Sequence, residues 1–335
     1  MYIYIMTFIE TIRKEITEKR NLRESSINAY VGNINKLHSL MFGKSGDSVG
    51  GHSVPAKELK NLDFLEDKKK VMETIENKKL STRKTYLAAI VVTLMAFEKD
   101  VKLISYYRDE MEDLSKKFNA EMDEQKKSDT QDKNWVSLER LRKVMRKYRN
   151  ELNEKGIFKK DELTNKEFEL LQKWIVSSLY ILDDNPPLRN NYIMETISGT
   201  DYDELTDKEK TEKNYVVIKS RNNKSFSLGD YKTSGKYGTK LIPVGKKLNS
   251  ALNIWFKFNK TGHLLLNSKK EPMTANGLTK YLQKTFAPTG KNISSSMIRH
   301  IFISEKFPAQ NKEKDEVSEK MLHSTDQQTL YSKKD

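Results

Sequence analysis

Ser-Ser-Ser-Met-Ile-Arg-His (294–300), a lysine-rich interval, then Met-Leu-His-Ser-Thr-Asp-Gln-Gln-Thr-Leu-Tyr (321–331) is the stretch on which the reading of this chain turns. Its first part predicts a helix over 296–306, with Arg299 one turn inside it. His323 follows a further short helix predicted over 314–322 and stands eight positions before Tyr331. An arginine on a helix, a histidine and a tyrosine make a candidate phosphate-handling site, and such a site needs further cations from elsewhere in the chain.

The chain is rich in cations. Lys and Arg number 61 against 47 Asp and Glu, a formal net charge of +14 in 335 residues, which favours a polyanionic partner. Nucleic acid leads and an anionic membrane surface comes second. The longest mainly apolar run, 87–97, is about half of what a bilayer span requires, and the apolar start 1–6 lacks the basic flank and cleavage site of a secretion signal. The expectation is a soluble intracellular protein without membrane association. Cysteine is absent, so disulfides, thiolate nucleophiles and cysteine zinc sites are excluded. The five histidines show no metal-ligand spacing, and no metal or cofactor is expected. With 14 Gly and 7 Pro, a mainly α chain is expected.

Upstream, Phe8, Ile12 and Ile16, then Ile27, Tyr30, Val31, Ile34 and Leu37, form stripes at helical spacing. A Gly- and Ser-rich loop over 43–55 follows, then a helix over 65–75 and another opened by Ser81-Thr82-Arg83-Lys84-Thr85. That helix start could present its amides and basic side chains to phosphates, or be a plain solvated helix end. A further helix over 104–118 runs into 121–133, which is almost wholly polar or charged and is expected to be a linker. The implied organisation is a helical domain over 1–120, the linker, and a second domain over 134–335.

In that second domain, helices are predicted from Ser137 and over 168–182, the latter stopped by Asp183-Asp184-Asn185-Pro186-Pro187. Arg189 follows at once. Tyr215-Val216-Val217-Ile218, Ser225-Phe226-Ser227-Leu228 and Thr239 to Val244 then read as three strands of a small antiparallel sheet. Helices resume over 247–257 and 275–285. Lys232 falls after the second strand, with Lys236 and Lys240 as close competitors.

Breaking a phosphodiester requires a nucleophile, cations around the non-bridging oxygens and an acid for the leaving oxygen. No carboxylate cluster for magnesium is evident, so the positive charge falls to side chains. Guanidinium suits this because its planar fork of donors matches two phosphate oxygens. Arg189 and Arg299 are the two candidates. A lysine on a hairpin could serve as the acid if neighbouring cations lowered its pKa.

Taken in order, Arg189, Lys232, Arg299, His323 and Tyr331 resemble the catalytic set of the tyrosine recombinases, the phage-type integrase family. Asn185-Pro186-Pro187-Leu188-Arg189-Asn190-Asn191-Tyr192 looks like the version found in integrases of large DNA viruses and virophages. The resemblance spans roughly 135–331 and more loosely the helical part before it. It implies a helical, DNA-binding core-binding domain over 1–120 beside a mixed α+β catalytic domain over 134–335, and a site-specific recombinase acting on double-stranded DNA as a homo-oligomer, a tetramer on paired sites. It assigns Tyr331 as nucleophile forming a 3′-phosphotyrosyl bond, Arg189 and Arg299 as phosphate holders, Lys232 as acid and His323 as a phosphate hydrogen-bond donor. Three positions depart from the family pattern. Ser296 stands where a His or Lys is usual, Leu322 replaces a common glycine, and the His-to-Tyr interval is one residue short. Two alternatives stay open: a topoisomerase-like nicking and resealing enzyme, and a catalytically impaired DNA-binding protein of the same fold.

Overall fold

Thr7 starts the first helix by accepting from the Glu10 amide while the Glu10 carboxylate accepts from the Thr7 amide. The helix, α1 (Phe8–Lys19), and its successor α2 (Glu24–Phe42) bury the two sequence stripes, with Ile12, Ile16, Ile34 and Leu37 fully covered. They pack with α3 (Lys68–Glu76), α4 (Leu80–Ala96) and α5 (Val101–Asp123). Helix α4 is buried round most of its circumference, through Tyr86, Leu87, Ala89, Ile90, Val91, Thr93 and Leu94, so it forms the centre of this unit. Within the stretch expected as a loop, β1 (Ser48–Val49) and β2 (His52–Ser53) pair antiparallel.

The computed structural model describes residues 6–43, 48–49, 52–53, 58–123, 126–306, 317, 320 and 321. The chain divides into two compact units, Met1–Glu124 and Gln125–Asp335. Much of the segment expected as a linker is helical. Helix α5 extends through Asp123, and α6 (Asp129–Asn134) is started by a reciprocal Ser128–Gln131 cap. Charge alone does not dissolve a helix when its ends are satisfied. Residues of α6 belong to the second unit, where Lys291 Nζ donates to the Lys133 carbonyl and Asn134 Oδ1 accepts from the Asn292 amide.

The second unit is mainly helical around a four-stranded sheet. Helices α7 (Leu138–Glu154) and α8 (Asn165–Ile181) lead into β3 (Glu195–Ser198). Two short helices follow, α9 (Gly199–Glu204) and α10 (Asp207–Glu212), and then β4 (Asn214–Ser220) and β5 (Asn223–Leu228). After α11 (Ser234–Tyr237) come β6 (Lys240–Pro243), α12 (Lys246–Phe258), α13 (Ala275–Thr285) and α14 (Ser295–Lys306). The strand order is β3-β4-β5-β6. The expected sheet was wholly antiparallel. The observed one is mixed, because β3 pairs parallel with β4, Glu195 opposite Tyr215 through Ser198 opposite Ile218. The crossover through α9 and α10 reverses the chain and makes the parallel pairing possible. The other pairs are antiparallel, with Val216 opposite Phe226 and Phe226 opposite Ile242.

Helix α8 is the axis of this unit. Eleven of its residues, from Leu170 to Ile181, are buried, and α7, α12 and α13 all pack on it. Its start is a capping box of Thr164 and Glu167, and Lys160 adds an ion pair to the same carboxylate. These donors hold the Glu167 carboxyl well below its ordinary range, at about 2, with the Lys160 hydrogen bond contributing most. Of the helix expected over 314–322, Val317, Lys320 and Met321 are described, and Met321 joins the core. No helix among the described residues is long and apolar enough to cross a membrane.

Candidate active site

Arg189 sits on the turn that follows α8, and that turn is secured from three directions. From α12, the Lys247 amide donates to Asp184 Oδ2 at 2.6 Å and the Gly245 amide donates to Asn185 Oδ1 at 2.7 Å. A Cβ on Gly245 would fall 2.4 Å from the Asp184 carboxyl carbon, so only glycine allows this approach. From α13, Asn190 Nδ2 donates to Thr279 Oγ1 at 2.8 Å and to the Ala275 carbonyl at 3.2 Å. From below, the Tyr180 hydroxyl donates to the carbonyl of Arg189 itself at 2.8 Å. Tyr192 completes the support, donating to the Leu179 carbonyl at 2.8 Å and stacking edge-on against Tyr180 at 5.0 Å and Phe226 at 5.6 Å. The arginine is half-buried on a backbone with little freedom to shift.

Arg299 is fully buried on α14, whose first turn is capped by Ser294 accepting from the Met297 amide. Met297, Ile298, Ile301, Phe302 and Ile303 carry the helix into the core and take Arg299 with them. Taking a guanidinium out of water costs several kcal/mol unless its surroundings compensate the charge. Tyr180 connects the two arginines. Burial pushes its hydroxyl well above the ordinary tyrosine value, Tyr192 adds to the shift, and the positive charge of Arg299 opposes it. One phenol therefore holds the Arg189 backbone and lies within the field of the Arg299 guanidinium. The far end of α14 is tied to the same region: Lys306 Nζ donates to the Asp183 carbonyl at 3.4 Å, and Glu305 accepts from the Leu138 amide at 2.8 Å.

Lys232 is exposed on the connection between β5 and β6. The residues before it are fixed: Asn214 Oδ1 accepts from the Gly229 and Asp230 amides, Asn214 Nδ2 donates to the Asp230 carbonyl, and buried Tyr231 donates to Gly238 O at 2.6 Å. Among its competitors, Lys236 lies over the Tyr237 ring at 5.2 Å, and Lys240 is half-buried in β6 opposite Leu228. Ser296, at the position where a basic residue was sought, is exposed in the first turn of α14. His323 and Tyr331 lie outside the described residues. Tyr180 thus holds the Arg189 backbone and lies within the field of Arg299, while Lys232 stands on a separate anchored connection.

Among the described residues, no group of His, Asp and Glu is arranged to hold a metal ion. Sequence reading missed Tyr180, Tyr192, Asp184 and Asn185 as supports. Tyr180 reads there as one more core aromatic, since its partner is a backbone carbonyl that no side-chain pattern marks.

No family model matches this chain, and no curated protein matches it in sequence. Among solved structures it is similar to one described as "Crystal structure of XerA recombinase", at 9% identity over 98% of this chain and 94% of that chain, with a TM-score of 0.38. A superposition that loose transfers no residue roles. The viral likeness of 185–192 finds no support in these comparisons.

Proposed function

We propose that this protein cleaves and rejoins DNA strands through a covalent phosphotyrosyl intermediate, in the manner of a tyrosine recombinase. The observation that supports this reading is that Tyr180 holds the Arg189 carbonyl while lying in the field of the Arg299 charge. Two guanidiniums set on rigid supports are suited to a phosphodiester whose negative charge grows as it is attacked. The Tyr331 phenol, releasing its proton to solvent, attacks phosphorus and forms the 3′-phosphotyrosyl bond as the bond to the 5′ oxygen breaks. Lys232 delivers a proton to that 5′ oxygen, and His323 donates a hydrogen bond to a phosphate oxygen. Attack by the 5′-hydroxyl of another strand releases Tyr331, so neither ATP nor an external energy source is required. The surplus of +14 charges supports duplex DNA as partner, with affinity falling steeply as salt rises. Clamping of the duplex by both units, and a homotetramer on paired sites, belong to the same proposal. Exposed Ser296 favours one second reading, a DNA-binding protein with a silent site.

The test is a nicked suicide duplex, on which the cleaved 5′ fragment diffuses away and traps the adduct. The intact protein is expected to form a covalent adduct and Tyr331→Phe none. Absence of adduct from the intact protein would sink the catalytic reading in favour of the binding one. An undiminished adduct from Tyr331→Phe would assign the nucleophile elsewhere.

A further inference from the structure

Lys224 is a buried cation that the proposed chemistry does not use. It lies on β5, 3% exposed, and its ammonium donates to Arg221 O at 2.6 Å, Asn253 Oδ1 at 2.6 Å and Asn249 Oδ1 at 3.1 Å. All three acceptors are neutral. Desolvation, then the nearby Arg221 charge, lower its pKa, and no carboxylate offsets them. Among the described residues no carboxylate pairs with this ammonium, and its three N–H groups are all engaged, so it offers the cavity its positive charge and no direct hydrogen bond. Lys224 also lines a cavity of about 830 Å³, within the range of small-molecule sites of roughly 300–1,000 Å³. The other cations lining it are Arg221, Lys260 and Lys257, the last also paired with Asp161 at 3.6 Å, and among the described residues no carboxylate lines it. Its apolar wall includes Phe158, which is held edge-on by Trp174 at 5.9 Å. Asn253, its oxygen taken by Lys224, keeps its NH₂ as a donor. The cavity stands at the turn between β4 and β5. Four residue steps of strand, about 13 Å, separate Lys224 from Leu228, where the connection bearing Lys232 begins.

We infer that this cavity is a binding site for a nucleoside phosphate, with the phosphate held by Arg221 within the field of the Lys224 charge and the base against Phe158. Guanidinium and ammonium supply the charge a phosphate needs, and a rigid aromatic wall suits a flat heterocycle. Concavity favours a small ligand over a duplex lying across the surface.

Isothermal titration of the full chain with AMP, inorganic phosphate and adenosine separately tests this. Binding of AMP near one per chain is expected, at least tenfold tighter than either fragment. Arg221→Gln, at an exposed position, should melt as the parent does and weaken AMP at least tenfold, as should Lys224→Gln. Adduct formation on the suicide duplex should be unchanged in Arg221→Gln, which keeps this result separate from the strand-cleavage reading. No AMP binding at millimolar concentration, or AMP binding indifferent to Arg221→Gln, would overturn the inference. So would full displacement of AMP by a short duplex, which would assign these cations to a nucleic-acid surface.

Discussion

Tyr180→Phe removes one oxygen and leaves the shape of the core intact. The lost hydroxyl donates to the Arg189 carbonyl at 2.8 Å, from a side chain with no exposure. A hydrogen bond of this kind contributes about 1 kcal/mol net, rising to about 1–3 kcal/mol when a buried acceptor is left without its donor. For a unit of this size, about 2 kcal/mol lowers the melting temperature by roughly 4–8 °C. The ring stack on Tyr192 survives, so the variant should fold. If the bond positions Arg189 for a phosphate, a loss of 1–2 kcal/mol in the reacting state slows adduct formation roughly 5- to 30-fold. The assay is single-turnover adduct formation at saturating suicide duplex, paired with the equilibrium affinity for unmodified duplex. The rate should fall while affinity changes by less than about threefold, because phosphate contacts spread over a basic surface dominate binding. A melting temperature that drops with an unchanged saturated rate would refute the positioning argument and leave Tyr180 a structural residue.

Two other outcomes follow from the geometry. A Cβ on Gly229 would meet the Lys210 carbonyl oxygen at 1.9 Å, so Gly229→Ala should lower stability by roughly 1–3 kcal/mol in chemical denaturation, and by shifting the connection it anchors should also slow cleavage. Glu167 has a folded-state pKa of about 2 against an ordinary 4.5, so the unfolded chain binds the extra proton and the cap stabilises the fold above 4.5. That contribution should fade as pH drops from about 4.5 to about 2, and Glu167→Gln should flatten the stability–pH curve in that window.

Helical stripes were the legible part of the fold. Ile12 and Ile16, or Leu171, Trp174 and Ile175, mark buried faces by spacing alone because one side of a helix repeats every three to four residues. The β4–β5 and β5–β6 pairs were legible for a similar reason: β-branched runs separated by turn residues. Strand β3 was not, since Glu195-Thr196-Ile197-Ser198 is short and polar and gains strand geometry only by lying beside β4. The helix content of 121–133 was not legible because composition reports solvation and says nothing of end caps. Residue type and order nominate Arg189 and Arg299 as candidates. Their supports could not be read this way, because Asp184, Asn185 and Tyr180 act on backbone groups, and a backbone group leaves no signature in its own residue's identity.

The anchors of the Arg189 turn have a temporal consequence. Its partners Pro243, Gly245, Lys247, Ala275 and Thr279 lie 58 to 89 residues further along the chain. Loops of that length close late, after the local helices have formed. As the chain leaves the ribosome, α8 can be complete long before the arginine beside it is held in place. A nascent chain stopped before α12 would carry the Arg189 side chain without its anchored geometry. The anchored geometry of the Arg189 turn therefore arrives only when most of the second unit has been made.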